Sequence, residues 1–123
     1  MSMVFSLIES PLHPDTTDMF ARLNYSNLAY NSIRKAIGAL KQHKPTWVLA
    51  DFLYGYGNNY AGVNISNLDV FLHSLQKYAG DARVIIFCEK PELKHAQHLA
   101  KLFVIEKIFT YPVPLSELEQ MLI

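Results

Sequence analysis

Five short apolar runs recur along the chain, each followed by a stretch with apolar residues at helical spacing, and this alternation restricts the fold more than any other feature. The runs are residues 3–8 (MVFSLI), 26–30 (SNLAY), 47–52 (WVLADF), 83–88 (RVIIFC) and 106–111 (EKIFTY). WVLA and VIIFC show no polar alternation, so both faces of these strands must be covered, as in a parallel sheet packed between helices. The intervening segments supply those helices. Met19, Phe20 and Leu23 follow a cap at Asp15 or Thr16; Ile33, Ala36, Ile37 and Leu40 line a helix over 33–43. Leu68, Phe71, Leu72 and Leu75 mark a third, capped by Ser66 or Asn67 and stopped at Gly80. Leu93, Ala96, Leu99, Ala100 and Phe103 follow Pro91, and Ser116 and Glu119 have the spacing of a capping box for the last helix. The sequence therefore predicts one α/β domain over residues 1–123: a three-layer, doubly wound sandwich around a five-stranded parallel sheet.

In such sheets, binding sites form outside the carboxyl ends of the strands. Asp51 ends the third run, and Glu9, Cys88 and Tyr111 lie at three other strand ends, so four residues distant in sequence are expected at one edge of the fold. The charge balance narrows the partners. Eleven basic and eleven acidic residues give no net charge, and no run of like charge builds the footprint that nucleic acid or an anionic membrane requires. No apolar stretch is long enough to span a bilayer. The N-terminus lacks a basic region and a small-residue cleavage pattern, and a single cysteine fits a reducing compartment, so a cytoplasmic location is expected.

With the elements in this order, the chain resembles the receiver domains of bacterial two-component response regulators, which have the flavodoxin-like (βα)5 fold. KPTWVLADF resembles the family's third strand with its phosphoacceptor aspartate, ARVIIFC the fourth strand, and FTYPVPLSELEQML the segment around its Lys-Pro and final helix. The resemblance covers essentially the whole length. It implies that Asp51 occupies the phosphoacceptor place, and that Glu9 falls on one of two first-strand acids that, with the aspartate, hold Mg2+. It places Ile8 on the other acid, Cys88 on the usual Thr or Ser, Glu89 on a usually small residue, and Tyr111 before Pro112 on the lysine. It also implies a cis bond at Tyr111–Pro112, with Tyr111 directed at Asp51.

These departures weaken phosphoryl transfer, whose transition state is stabilised by cations around the transferring oxygens. Ile8 removes a hard oxygen ligand, and a phenol at position 111 carries no positive charge near neutral pH. The thiol of Cys88 donates hydrogen bonds poorly, and an inward Glu89 would add a repelling charge. The expected function is thus a degenerate, pseudo-receiver signalling module that binds a protein partner in a phosphorelay pathway, with a histidine kinase as the candidate partner. Routine phosphorylation, a resident cofactor and enzymatic activity beyond chemistry at Asp51 are not expected. Two alternatives are a phosphorylatable receiver using Asp51, Glu9 and Mg2+, and a small-ligand or flavin-binding domain using the ESPLHPDTT segment, which lacks phosphate-cradling glycines.

The stretch 53–67 (LYGYGNNYAGVNISN) is longer than the matching family loop, and Tyr54, Tyr56, Asn58, Asn59 and Tyr60 make it a candidate partner-binding loop. His95, His98 and Glu92 share a helix side but read as a solvated face, since they do not make a metal cage. Cys88 reads as a buried structural thiol. The family's face of fourth helix, last strand and last helix suggests a homodimer through residues 93–103, Phe109 and 112–123.

Overall fold

The computed structural model describes residues 2–54 and 66–123. Its elements alternate as expected: β1 Met3–Leu7, α1 Thr17–Leu23, β2 Ser26–Tyr30, α2 Ile33–Ala39, β3 Trp47–Asp51, α3 Asp69–Tyr78, β4 Arg83–Cys88, α4 Leu93–Leu102, β5 Lys107–Thr110 and α5 Leu115–Leu122, with a 3-10 turn over Lys90–Glu92 before α4. The five strands form one sheet in the order β2-β1-β3-β4-β5, every pair parallel. The central β3 is buried at all five positions, which is why its sequence shows no polar alternation.

Strand periodicity divides the core. Phe5, Leu7, Val48, Ala50, Val84, Ile86 and Cys88 face α2, α3 and α4 through Ala36, Leu40, Phe71, Leu75, Ala96 and Leu99. Val4, Leu49, Ile85, Phe87 and Phe109 face α1 and α5 through Met19, Phe20, Leu118 and Leu122. The result is the three-layer doubly wound sandwich.

Local departures from the sequence expectations have identifiable causes. The helix expected over 33–43 ends at Ala39, and its last turns tighten: Leu40 N–H reaches both Ala36 and Ile37 carbonyls, and Lys41 N–H reaches Gly38. Thr16 occupies the cap of α1 without a side-chain bond, while the Asp15 carboxylate accepts from Thr17 N–H. Ahead of α3, Ser66 Oγ accepts from Leu68 N–H and donates to Asp69 Oδ1, while the Asn67 side chain turns toward the sheet. The capping box at Ser116 and Glu119 does not form. Pro114 takes the cap position, Ser116 is already inside the helix, and the Glu119 carboxylate instead meets Arg22 at 2.5 Å. Tyr111–Pro112 is cis, as expected.

Candidate functional site

Asp51 is the last residue of β3, in register with Phe87 of β4. Side chains alternate across the sheet, so the one at 51 shares the α1/α5 side with Leu49 and Phe87. Past Leu7 the chain turns over the sheet end, closed by His13 N–H on the Ser10 carbonyl. That turn delivers three donors to one carboxylate. Glu9 and Ser10 N–H donate to Asp51 Oδ2 at 2.9 and 3.0 Å, and His13 Nδ1 lies 2.8 Å from Oδ1. An acceptor carboxylate facing Nδ1 requires that nitrogen to carry the proton. Tyr111, just beyond β5, donates its hydroxyl to Oδ1 at 2.6 Å.

Asp51 is fully buried, and the His13 side chain is only 4% exposed, its ring edge-to-face with Phe87 at 5.3 Å between centroids. Each carboxylate oxygen accepts two bonds, as the rule that buried polar groups are paired demands. The second ring nitrogen of His13, Nε2, is buried and has no hydrogen-bond partner among the described residues. Burial, then the bond to Asp51, pushes the Tyr111 phenol far above its ordinary range, so it is a donor and not an anion.

Glu9 turns away from Asp51. Its Oε1 accepts from Asn67 Nδ2 at 2.6 Å, and the same nitrogen donates to the Asp51 carbonyl at 2.9 Å. Asn67 also exchanges bonds with the backbone of Leu53, accepting from its N–H at 2.8 Å and donating its own N–H to its carbonyl at 3.1 Å. One amide thereby ties the end of β3, the start of α3 and the turn after β1. Partial burial raises the Glu9 carboxyl above its usual value; the Asn67 bond opposes this and the Asp51 charge adds to it. A raised carboxyl favours the folded state at low pH, and that contribution is lost as pH rises past 4.5 toward the folded value. Glu9→Gln keeps the acceptor for Asn67 and removes the charge. Urea unfolding at pH 7 should therefore show unchanged or slightly raised stability, by at most about 1 kcal/mol.

The structure brings Glu9, Asp51 and Tyr111 together, and corrects other members of the expected pocket. Glu89 and Pro112 are exposed, so Glu89 adds no charge beside Asp51. Cys88 is buried on the opposite face, among the residues packed under α4. Burial, with Glu92 and Glu89 adding, pushes its thiol up to about 11, so it stays protonated and unreactive near neutral pH. Iodoacetamide should label Cys88 only after unfolding, as read by intact mass; rapid labelling of the native protein would contradict its burial. The metal pair that the family resemblance implies, Glu9 and Asp51, does not fit Mg2+. Both Asp51 oxygens are occupied by donors, Glu9 is held by Asn67, and the described residues include no group of three His, Cys, Asp or Glu arranged to hold an ion. A surface cleft of about 430 Å3 at this edge is lined by Ile8, Glu9, Ser10, Pro11, Asn31 and Leu53, and Asp51 is not among its walls.

The ESPLHPDTT segment is turned inward: Ser10 Oγ accepts from Leu12 N–H and Ser10 N–H is spent on Asp51. Tyr54 is half exposed, stacked on His95 at 3.6 Å, and bridges antiparallel to Ser66. Tyr56, Asn58, Asn59 and Tyr60 lie outside the described residues. Sequence reasoning missed His13, Ser10 and Asn67. Pro11 and Pro14 bracket His13 and restrict its turn, which is the only local signal.

No family model matches the sequence, and no curated protein does. The fold has many solved neighbours. A signal receiver domain from Vibrio parahaemolyticus superposes with a TM-score of 0.74 at 17% identity, covering 98% of this chain and 86% of that one. The receiver domain of a sensor histidine kinase from Pseudomonas aeruginosa, with magnesium in its active-site cleft, gives 0.70 at 10% identity over 98% and 93%. A streptococcal redox sensor, from a family described as evolved from two-component response regulators, gives 0.73 at 12% identity over 99% of this chain and 49% of that one. At these identities the likeness establishes the fold: this chain has the receiver architecture.

Proposed function

We propose that this chain is a signalling module of the receiver fold that works by binding a protein partner and does not accept phosphate on Asp51. One observation carries the proposal: the carboxylate at the acceptor position is fully buried with both oxygens already taken by four protein donors. A working acceptor must offer one oxygen as nucleophile and another to a cation. Here the neutral tyrosine and the histidine fill the places where cationic groups would gather. The streptococcal neighbour gives independent support, since it is a redox sensor from a family evolved from two-component response regulators. The partner belongs to a phosphorelay pathway, a histidine kinase being the first candidate.

Incubation with acetyl phosphate and Mg2+, followed by intact mass, tests this directly. The expected product is unmodified protein. A single added phosphoryl group that disappears in Asp51→Asn would overturn the proposal. The same module is proposed to self-associate through α4, β5 and α5, where Leu102, Leu115 and Ile123 are exposed and Leu93, Lys107 and Pro114 line a groove. Sedimentation should show concentration-dependent dimers; a monomer at every concentration would remove this part.

A further inference from the structure

The two edges of the sheet differ in how they are guarded. β5 carries Lys107, whose ammonium lies over the Phe109 ring at 5.5 Å, and a charged edge residue discourages strand pairing. β2, the other edge, reads SNLAY and has neither charge nor proline. Its inward bonds are fixed by Ser26 N–H on the Ser2 carbonyl and by Ile8 N–H on the Tyr30 carbonyl. In this parallel register residues 26, 28 and 30 bond β1, so the N–H and C=O groups of Asn27 and Ala29 point outward. Both residues are exposed. Among the described residues, β2 thus offers four unpaired backbone groups in a row, and none of its own side chains is charged.

The segment that carries this edge is basic, while Glu9, which lines a neighbouring cleft with Ile8 and Asn31, is held by Asn67. From residue 19 to residue 50 the chain has five basic residues and no acidic one. Arg22 is paired with Glu119 and Lys44 bonds the Tyr78 carbonyl, which leaves Arg34, Lys35 and Lys41 without a partner among the described residues. Lys35 helps line a groove of about 390 Å3 with Ala29, Tyr30, Asn31 and Ile8, directly at the end of the open edge. Two copies paired through β2 would bring these cations toward each other, at a cost.

We propose that the β2 edge binds an extended, acidic peptide segment of a partner by strand addition, with Asn27 and Ala29 supplying the backbone bonds and Arg34 and Lys35 selecting negative charge. This surface is separate from the Asp51 site, so it stands or falls independently of phosphorylation.

The test uses two synthetic peptides of alternating Val and Thr, one carrying two Glu and the other two Lys. Titration into the full chain, followed by amide NMR, should show the acidic peptide binding at least about tenfold more tightly, with the Asn27 and Ala29 amides gaining exchange protection. Ala29→Pro removes one outward donor at an edge position where proline is tolerated, and should abolish binding while the fold is retained. If that variant does not fold, R34E/K35E decides: it should reverse the preference between the peptides. Equal affinity for both peptides, no detectable binding, or protection at residues away from β2 would overturn the proposal. So would β2-dependent dimerisation that Ala29→Pro abolishes, which would assign the edge to a second copy.

Discussion

Asp51→Ala should lower the unfolding free energy by about 3–5 kcal/mol, the largest loss expected from any single substitution at this edge of the sheet. The carboxylate is the shared acceptor for Glu9 N–H, Ser10 N–H, His13 Nδ1 and the Tyr111 hydroxyl. Deleting it strands four donors at once beside a fully buried position, and each stranded group that water does not reach costs about 1–3 kcal/mol before relaxation. Water entering the space recovers part of that sum, which is why the expected loss is smaller than four such penalties. Urea unfolding followed by circular dichroism would measure it. A loss below about 1 kcal/mol would mean that these bonds contribute little.

Among the donors to Asp51, His13→Ala should cost about 2–3 kcal/mol. The substitution removes a hydrogen bond to a carboxylate, worth about 1.5–3 kcal/mol, and the packing of a ring that is almost wholly buried against Phe87. The unpartnered Nε2 offsets some of this, because that buried nitrogen already costs the native state. His98→Ala, on an exposed position of α4, is the control and should change stability by no more than about 0.5 kcal/mol. Equal effects of the two histidine substitutions would show that His13 is not held by Asp51. The loss at His13 should also be coupled to Tyr111→Phe, since both donors share Oδ1 and neither bond is independent of the other.

The elements most legible in the sequence were those whose pattern is set by burial on two sides. WVLAD and RVIIFC read as central strands because a strand covered on both faces has no polar positions to mislead, and β2, though ambiguous in composition, falls on residues 26–30 as expected. The meeting of Glu9, Asp51 and Tyr111 was also legible, because topology alone brings the carboxyl ends of β1, β3 and β5 to one edge. Helix ends were less so. Ser116 and Glu119 have the spacing of a cap, but Pro114 begins the helix earlier and Arg22, 97 residues away in sequence, claims the glutamate.

The identity of the groups around Asp51 was the least legible part. His13 lies in a turn with no periodicity, and its reach to a carboxylate 38 residues later is decided by the three-dimensional course of that turn. Asn67 likewise looked like a helix cap and proved to be a cross-link between segments. Its side-chain amide can satisfy a cap or the sheet end, and the sheet end offers two acceptors at once, Glu9 and the Asp51 carbonyl. Glu89 was misplaced for the opposite reason: a strand-end position says which edge a residue occupies but not whether its side chain turns toward the pocket or toward water.

The central claim is that Asp51 is a structural acceptor and not a nucleophile held in readiness, and the stability of Asp51→Asn relative to the unmodified protein in urea at pH 7 tests it most directly. Asparagine has the same shape, so no cavity confuses the result; it only replaces one accepting oxygen by an NH2 group that faces the existing donors. The account predicts a clear loss, about 2–4 kcal/mol. An Asp51→Asn variant as stable as the parent, or more stable, would contradict it, because that is the behaviour of a carboxylate kept in a crowded acidic site for the sake of phosphoryl transfer.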